Sequence, residues 1–227
     1  GVGPHPSNRA RQTQSPSTQV SVLHFCNMDS PNHADTQDSR PVLVFATHNP
    51  NKVKELQEML GHHYRIQSLT DIGCHEEIVE DASTLEGNAQ IKAHHVVEHY
   101  GLDCFADDTG LEVSALGGAP GVWSARYAGT HGDADANMNK LLHELDQAGA
   151  RNQDARKAQF RTVICLVQNG REHLIEGTCR GSIATERSGA EGFGYDPIFI
   201  PEGHDCSFAD MTPKDKNAIS HRGRAVQ

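Results

Sequence analysis

Three short segments concentrate residue types that can do chemistry: Thr47-His48-Asn49-Pro50-Asn51-Lys52, Asp107-Asp108-Thr109-Gly110, and Lys216-Asn217-Ala218-Ile219-Ser220-His221-Arg222. The first follows an apolar run and opens a helical pattern. Its hydroxyl, amide, ammonium and backbone N–H groups therefore collect at one helix N-terminus, the usual way a chain grips a phosphate. A plain helix cap, worth about 1 kcal/mol, is the competing use of Thr47 and Asn49. Lys52 in the first turn opposes the helix dipole, so an anion explains its placement better than helix stability does. The second segment is expected where a buried strand ends, with two adjacent carboxylates as a Mg²⁺ site or a general base requires. The alternative there is a solvated turn. Period-two alternation sends the carboxylates to opposite sides, so one of them faces a cleft. The acidic stretch Glu76-Glu77-Ile78-Val79-Glu80-Asp81 offers a second metal ligand. The third segment adds a cation, a ring and a guanidinium, although Ser220-His221-Arg222 also reads as an ordinary helix start. In Glu191-Gly192-Phe193-Gly194-Tyr195-Asp196-Pro197, glycines bracket an aromatic, which lets backbone approach a ligand while a ring covers it; a tight turn with a core Phe is the alternative. Together these segments suggest binding of a phosphorylated small molecule, uptake of a divalent metal and hydrolysis of a phosphoanhydride.

The elements that must position these residues follow an α/β pattern from Pro41 onward. Residues 42–46 (VLVFA) form a short apolar run of the kind that fills a buried strand. Over 51–60, Val53, Leu56, Met59 and Leu60 recur at helical spacing, with Gly61 as a stop signal. Residues 83–100 predict a longer helix with Ala89, Ile91, Ala93, Val96 and Val97 on its apolar side, and 104–106 a brief strand running into Asp107. A further amphipathic helix covers 137–145. Residues 160–168 and 172–181 form a hairpin turned by Asn169-Gly170, the strongest short hairpin signal. A glycine-rich loop at 189–195 precedes a short strand at 197–200. Early alternation of strands and helices followed by a late hairpin predicts a mixed sheet flanked by helices.

Length and charge bound the partners. At 227 residues the chain has room for one domain, or two lobes around one cleft. A formal net charge of −10, from 20 Lys+Arg against 30 Asp+Glu, argues against nucleic acid, which calls for a basic face. No stretch approaches the roughly 18–20 apolar residues of a membrane span, and no signal peptide is evident. The six cysteines are scattered without a C-x-x-C pair and read as reduced thiols of a cytoplasmic protein, with neither a disulfide framework nor a zinc site. His62-His63 and His94-His95 adjoin no Cys or spaced carboxylate set and read as surface histidines rather than ligands. Residues 1–40 are rich in Ser, Thr, Gln, Asn and Pro, with one apolar patch at 20–26. They read either as a disordered natural extension or as non-native residues upstream of a translation start at Met28.

Taken in order, ATHNPNK, TLEGNAQIKA, FADDTGLEVSALGGAPGVWSARYAG, GFGYDPIF and KNAISHRGRA resemble the signature blocks of the inosine/xanthosine triphosphate pyrophosphatase family, also called XTP/dITP diphosphatases. The resemblance spans residues 41–227. It implies an elongated mixed β-sheet flanked by helices, with two lobes around a central cleft, in a homodimeric, Mg²⁺-dependent enzyme. It further implies hydrolysis of ITP, dITP and XTP to the monophosphate and pyrophosphate, clearing deaminated purines from the nucleotide pool. By match, Thr47, His48, Asn49, Pro50, Asn51 and Lys52 form the triphosphate loop. Asp108 is the catalytic residue, as proton acceptor and metal ligand, with Thr109 beside it where many relatives carry Ser. Glu80 is the other metal ligand, in a context (Glu80-Asp81-Ala82-Ser83) that departs from the commoner Glu-Glu-Thr-Gly. Phe193, Gly194, Tyr195 and Asp196 enclose the base, and Lys216, His221 and Arg222 complete the pocket. The family's C-terminal helix normally continues past the Ser-His-Arg block, so it is expected to be truncated here. A Maf-type pyrophosphatase acting on other modified nucleotides, or a non-catalytic nucleotide-binding module, are the alternatives.

Overall fold

Strand β3 (Cys104–Val113) organises the molecule, because two different kinds of pairing meet on it. On one side β1 (Val42–Phe45) runs parallel to both β3 and β2 (Arg65–Gln67). On the other, β5 (Lys157–Gln168) pairs antiparallel with the whole of β3, from Cys104 opposite Val167 to Val113 opposite Ala158. β6 (Arg171–Ile183) and β7 (Phe199–Pro201) extend the antiparallel side, and β4 (Pro120–Gly121) pairs with the end of β3. The result is a seven-stranded mixed sheet of order β2-β1-β3-β5-β6-β7, with β4 off the main path. Helices α1 (Pro50–Leu60), α2 (Leu85–Tyr100), α3 (Ala134–Gln147), α4 (Pro213–Ile219) and α5 (His221–Ala225) flank it. This computed structural model describes residues 38–227, so the expectations for the 1–40 extension, including Met28 and the 20–26 patch, fall outside the described residues except at its last positions.

Local chemistry accounts for the boundaries. Asn49 caps α1, accepting from the N–H groups of Asn51 (2.9 Å) and Lys52 (3.4 Å), with Pro50 opening the helix. Thr84 caps α2, which closes at Gly101 in the left-handed region (φ 64°). The β5–β6 hairpin turns on Asn169 (φ 51°) and Gly170 (φ 71°), both left-handed as the tight primed turn demands. Two expectations are corrected. Residues 104–106 are not a brief strand that stops before Asp107. β3 continues through Asp107, Asp108, Thr109 and Gly110, each paired with β5, because the ladder recruits polar residues that no local apolar pattern marks. The strand expected at 197–200 begins only at Phe199, after a 3₁₀ turn at Asp196–Ile198.

The apolar interior comes in three clusters, and they bracket the chemistry. Cys104 and Ala106 of β3 join Val44, Cys165 and Val167 beneath Ala89, Ala93 and Val96 of α2. Phe105, on the opposite face, packs with Phe45, Ile164, Leu56 of α1 and Ala225 of α5. Farther along, Leu111 and Val113 join Phe160, Phe199, Phe208 and the α3 residues Met138, Leu141 and Leu145. Between these clusters β3 presents Asp107, Asp108 and Thr109.

Candidate active site

Alternation along β3 assigns the two carboxylates to different helices. Asp107, on the face of Phe105, is 1% exposed and meets α1 and α5. Its Oδ1 accepts from Lys52 Nζ (2.7 Å), and its Oδ2 accepts from Arg222 Nε (3.1 Å) and Nη2 (2.8 Å). From there the ion pairs continue as a chain. Arg222 Nη1 reaches Glu55 (2.5 Å), Glu55 takes Lys216 Nζ (2.5 Å), and Lys216 reaches Asp196 (2.6 Å), which also accepts from Phe193 N–H (2.8 Å). Burial alone would raise the Asp107 pKa, but Lys52, Arg222 and Lys92 outweigh it and hold the carboxyl far below the usual range.

Asp108, on the face of Ala106, looks toward α2. Its Oδ2 accepts from Asn88 Nδ2 (3.0 Å) and its Oδ1 from Thr109 N–H (3.0 Å). Lys92 Nζ spans the Asp107 carbonyl (2.7 Å) and Glu80 Oε2 (2.8 Å). The balance for Asp108 is the reverse of that for Asp107. Burial dominates, Glu80 adds repulsion, and Lys92 and Lys52 do not compensate, so its pKa is raised.

The other predicted residues divide. Thr47 is buried and its hydroxyl accepts from Asn49 N–H (3.1 Å), while Pro50 and Asn51 stay exposed in the first turn. His48 is exposed, its Nε2 3.1 Å from the Glu76 carbonyl. The anion that Lys52 meets within the protein is Asp107. Thr109 lies beside the network, its hydroxyl touching Asp107 Oδ2 (3.4 Å), Arg222 Nη2 (3.3 Å) and Thr162. Phe193 is half-buried with Lys216 Nζ 5.1 Å and the Arg222 guanidinium 5.9 Å from its ring centroid. Gly194 turns the loop in the left-handed region (φ 64°). Tyr195 instead belongs to the apolar cluster with Phe199 and Phe208, its hydroxyl donating to the Ser124 carbonyl (2.9 Å). His221 stacks on Phe160 (4.5 Å between centroids) and is 4% exposed; burial, with Arg222 and Lys216 adding, keeps the ring neutral. Its Nδ1 is a buried polar atom with no hydrogen-bond partner among the described residues.

Four participants were not singled out from the sequence: Glu55, Asn88, Lys92, and Asp107 as the hub. Asn88 and Lys92 were findable, because they lie one turn apart on the buried face that Ala89 and Ala93 mark, where an unpaired Lys is costly. The His94-His95 pair, read as surface histidines, divides. His94 is exposed beside Glu172 (2.6 Å), but the tertiary fold brings His95 to Glu76 and Cys74.

A divalent cation fits the Asp108–Glu80 side on charge and donor type. Four cations (Lys52, Lys92, Lys216, Arg222) stand against five carboxylates (Glu55, Glu80, Asp107, Asp108, Asp196), so the cluster carries excess negative charge before any phosphate arrives. Asp108 and Glu80 offer hard oxygen donors, and Mg²⁺ takes one or two carboxylates with waters and substrate phosphates rather than a full protein cage.

Comparison with known proteins matches residues 43–227 to the Ham1 family. A dITP/XTP pyrophosphatase of Flavobacterium psychrophilum is 54% identical over 185 residues, 82% of this chain and 95% of that protein. A dITP/XTP pyrophosphatase of Porphyromonas gingivalis is 54% identical over 184 residues, covering 81% and 93%. Among solved structures, a HAM1 protein from Coxiella burnetii superposes with a TM-score of 0.72 at 39% identity, covering 82% of this chain and 94% of that one.

Proposed function

This chain belongs to the Ham1 family, and from that premise we propose that it hydrolyses deaminated purine nucleoside triphosphates (ITP, dITP and XTP) to the monophosphate and pyrophosphate. Relatives of this similarity carry the dITP/XTP pyrophosphatase name, so neither a Maf-type enzyme nor a non-catalytic module is favoured. One observation carries the site assignment. Every predicted cation is already paired with a carboxylate, while Asp108 is held by Asn88 and Thr109 N–H without an ion pair among the described residues. A raised, half-buried carboxylate of this kind is what a proton acceptor or an ion-dependent ligand needs.

In this reading Asp108 and Glu80 hold Mg²⁺. When bound, the ion offsets the roughly four negative charges of the triphosphate and lowers the pKa of an attacking water. The chain's own groups do the rest. The α1 N-terminus with Thr47, His48, Asn49, Pro50, Asn51 and Lys52 receives the phosphates, Lys52 sharing its ammonium between Asp107 and phosphate oxygens. Asp107 fixes Lys52 and Arg222 in place, so charge that develops during transfer meets preorganised cations. Asp108, in its ionised form, accepts a proton from water. Phe193, Gly194 and Asp196 cover the base with Lys216 and Arg222 behind them. Donors from His221 or Arg222 meet the 6-keto oxygen of the purine. A donor left unpaired against the 6-amino group of adenine costs about 1–3 kcal/mol, which favours ITP and XTP over ATP; guanine shares the 6-keto group, so its rejection acts at the purine 2-position.

The same reading makes the protein a cytoplasmic homodimer; no helix among the described residues is long and apolar enough to cross a membrane. The deciding assay is pyrophosphate release from ITP, XTP, ATP and GTP at equal concentration, with Mg²⁺ and then with EDTA. Metal-dependent release from ITP and XTP, with little from ATP or GTP, is expected. Equal rates on all four, or EDTA-resistant release, would refute the reading.

A further inference from the structure

Away from the carboxylate network, α2 and the loop before it gather three side chains of metal-ligating type. Cys74 Sγ lies 4.0 Å from His95 Nε2, and His95 Nε2 lies 3.0 Å from Glu76 Oε1. All three donor atoms fall within 4.8 Å of one another, and among the described residues no other His/Cys/Asp/Glu trio is so placed. In tetrahedral zinc sites the bonds are about 2.3 Å to sulfur and about 2.0–2.2 Å to nitrogen and oxygen, which sets ligand atoms about 3.4–3.6 Å apart. These two separations bracket that range, so shifts of about half an ångström would bring both pairs to zinc-ligand spacing, and the third pair lies within 4.8 Å.

We propose that Cys74, Glu76 and His95 form a zinc site, with water in the fourth position, distinct from the site of Asp108 and Glu80. The donor set selects the metal: a thiolate and an imidazole favour zinc and disfavour Mg²⁺, which prefers oxygen alone. Outer partners are already in place. Tyr100 OH donates to both Glu76 carboxylate oxygens (3.0 and 3.2 Å), and the His99 ring stacks on His95 (4.3 Å between centroids). Glu76 is exposed and gives the ion a route from solvent, while Cys74 is buried and anchors it. On binding, the thiol proton leaves to solvent and the His95 proton moves to Nδ1, so both donor atoms present lone pairs. The Glu76 carbonyl also meets His48 (3.1 Å), so the ion would brace the loop against which the first residues of the phosphate segment rest.

The test uses the full chain, stripped with a chelator and titrated with Co²⁺ as a spectroscopic stand-in for zinc. One equivalent should produce a thiolate-to-cobalt charge-transfer band and intense tetrahedral d–d bands, both abolished by added Zn²⁺. Cys74→Ser should lose the charge-transfer band, and His95→Gln should weaken Zn²⁺ binding at least about tenfold, measured against a chromophoric chelator. Mg²⁺-dependent pyrophosphate release should persist in both variants, which separates this site from the catalytic one and reports that they fold. No charge-transfer band in the unmodified chain would overturn the proposal. So would a band unchanged in Cys74→Ser, which would assign it to another thiol such as the exposed Cys206, or unchanged affinity in His95→Gln.

Discussion

Neighbouring identical residues can have opposite roles when a strand points them to opposite faces. Asp107 is committed to structure: buried, anionic and clasped by Lys52 and Arg222. Removing its charge leaves the half-buried Lys52 without its ion-pair partner and Arg222 with Glu55 alone, so Asp107→Asn should destabilise the protein by about 3 kcal/mol. Asp108 is a half-buried carboxylate with a raised pKa, and its ionisation opposes folding. Asp108→Asn should therefore abolish nearly all turnover while keeping, or raising, the melting temperature of the metal-free protein. The pH dependence has opposite signs at the two positions. The Asp107 contribution is full above the unfolded carboxyl value, about 3.9, and is lost as pH falls below it toward the depressed folded value. For Asp108 the folded value lies higher, so the wild type gains stability as pH falls through it, and the advantage of Asp108→Asn should shrink on acidification. Thermal melts across pH on both variants check this. An Asp107→Asn protein as stable as wild type, or a fully active Asp108→Asn protein, would reverse the assignment.

At the scale of elements, the short α5 helix matters beyond its length, because it carries His221 and Arg222 against the sheet. Gly177 of β6 makes that approach possible. A β-carbon there would overlap the His221 carbonyl and crowd Ala225 N (2.6 Å) and Ala225 Cβ (2.9 Å). Gly177→Ala should thus push α5 outward, lower stability by about 1–3 kcal/mol as overpacking does, and reduce kcat/KM well beyond what the lost stability explains. A variant with wild-type kcat/KM would show that α5 tolerates displacement. Helices α1, α2 and α3 and the β5–β6 hairpin were legible because their periodicity, caps and Asn169-Gly170 turn are local signals. The full length of β3 was not legible. Its central Asp107-Asp108-Thr109-Gly110 reads as a turn until β5 supplies the partner for each residue.

For the molecule as a whole, charge is the governing quantity. A protein of net charge −10 that binds a polyanion works against its own field, and its cationic side chains at the site are already matched by carboxylates. Screening should relieve the long-range part of that repulsion. At saturating Mg²⁺, kcat/KM for ITP should rise, rather than fall, as ionic strength increases toward about 0.15 M. A steep fall with salt would mean that a local positive field dominates encounter.

The sequence by itself determined the α/β class, the sites of most helices, the hairpin and the polar blocks that hold Lys52, Asp108, Lys216 and Arg222, because each rests on spacing within one segment. Only the tertiary structure decided which charge meets which. That Lys52 and Arg222 close on Asp107, that Asn88 and Lys92 turn inward to the other face of β3, and that His95 comes to rest beside Cys74 all depend on contacts between residues far apart in the chain. Pairing energies between such groups depend on distance and burial, quantities that exist only once the sheet has assembled.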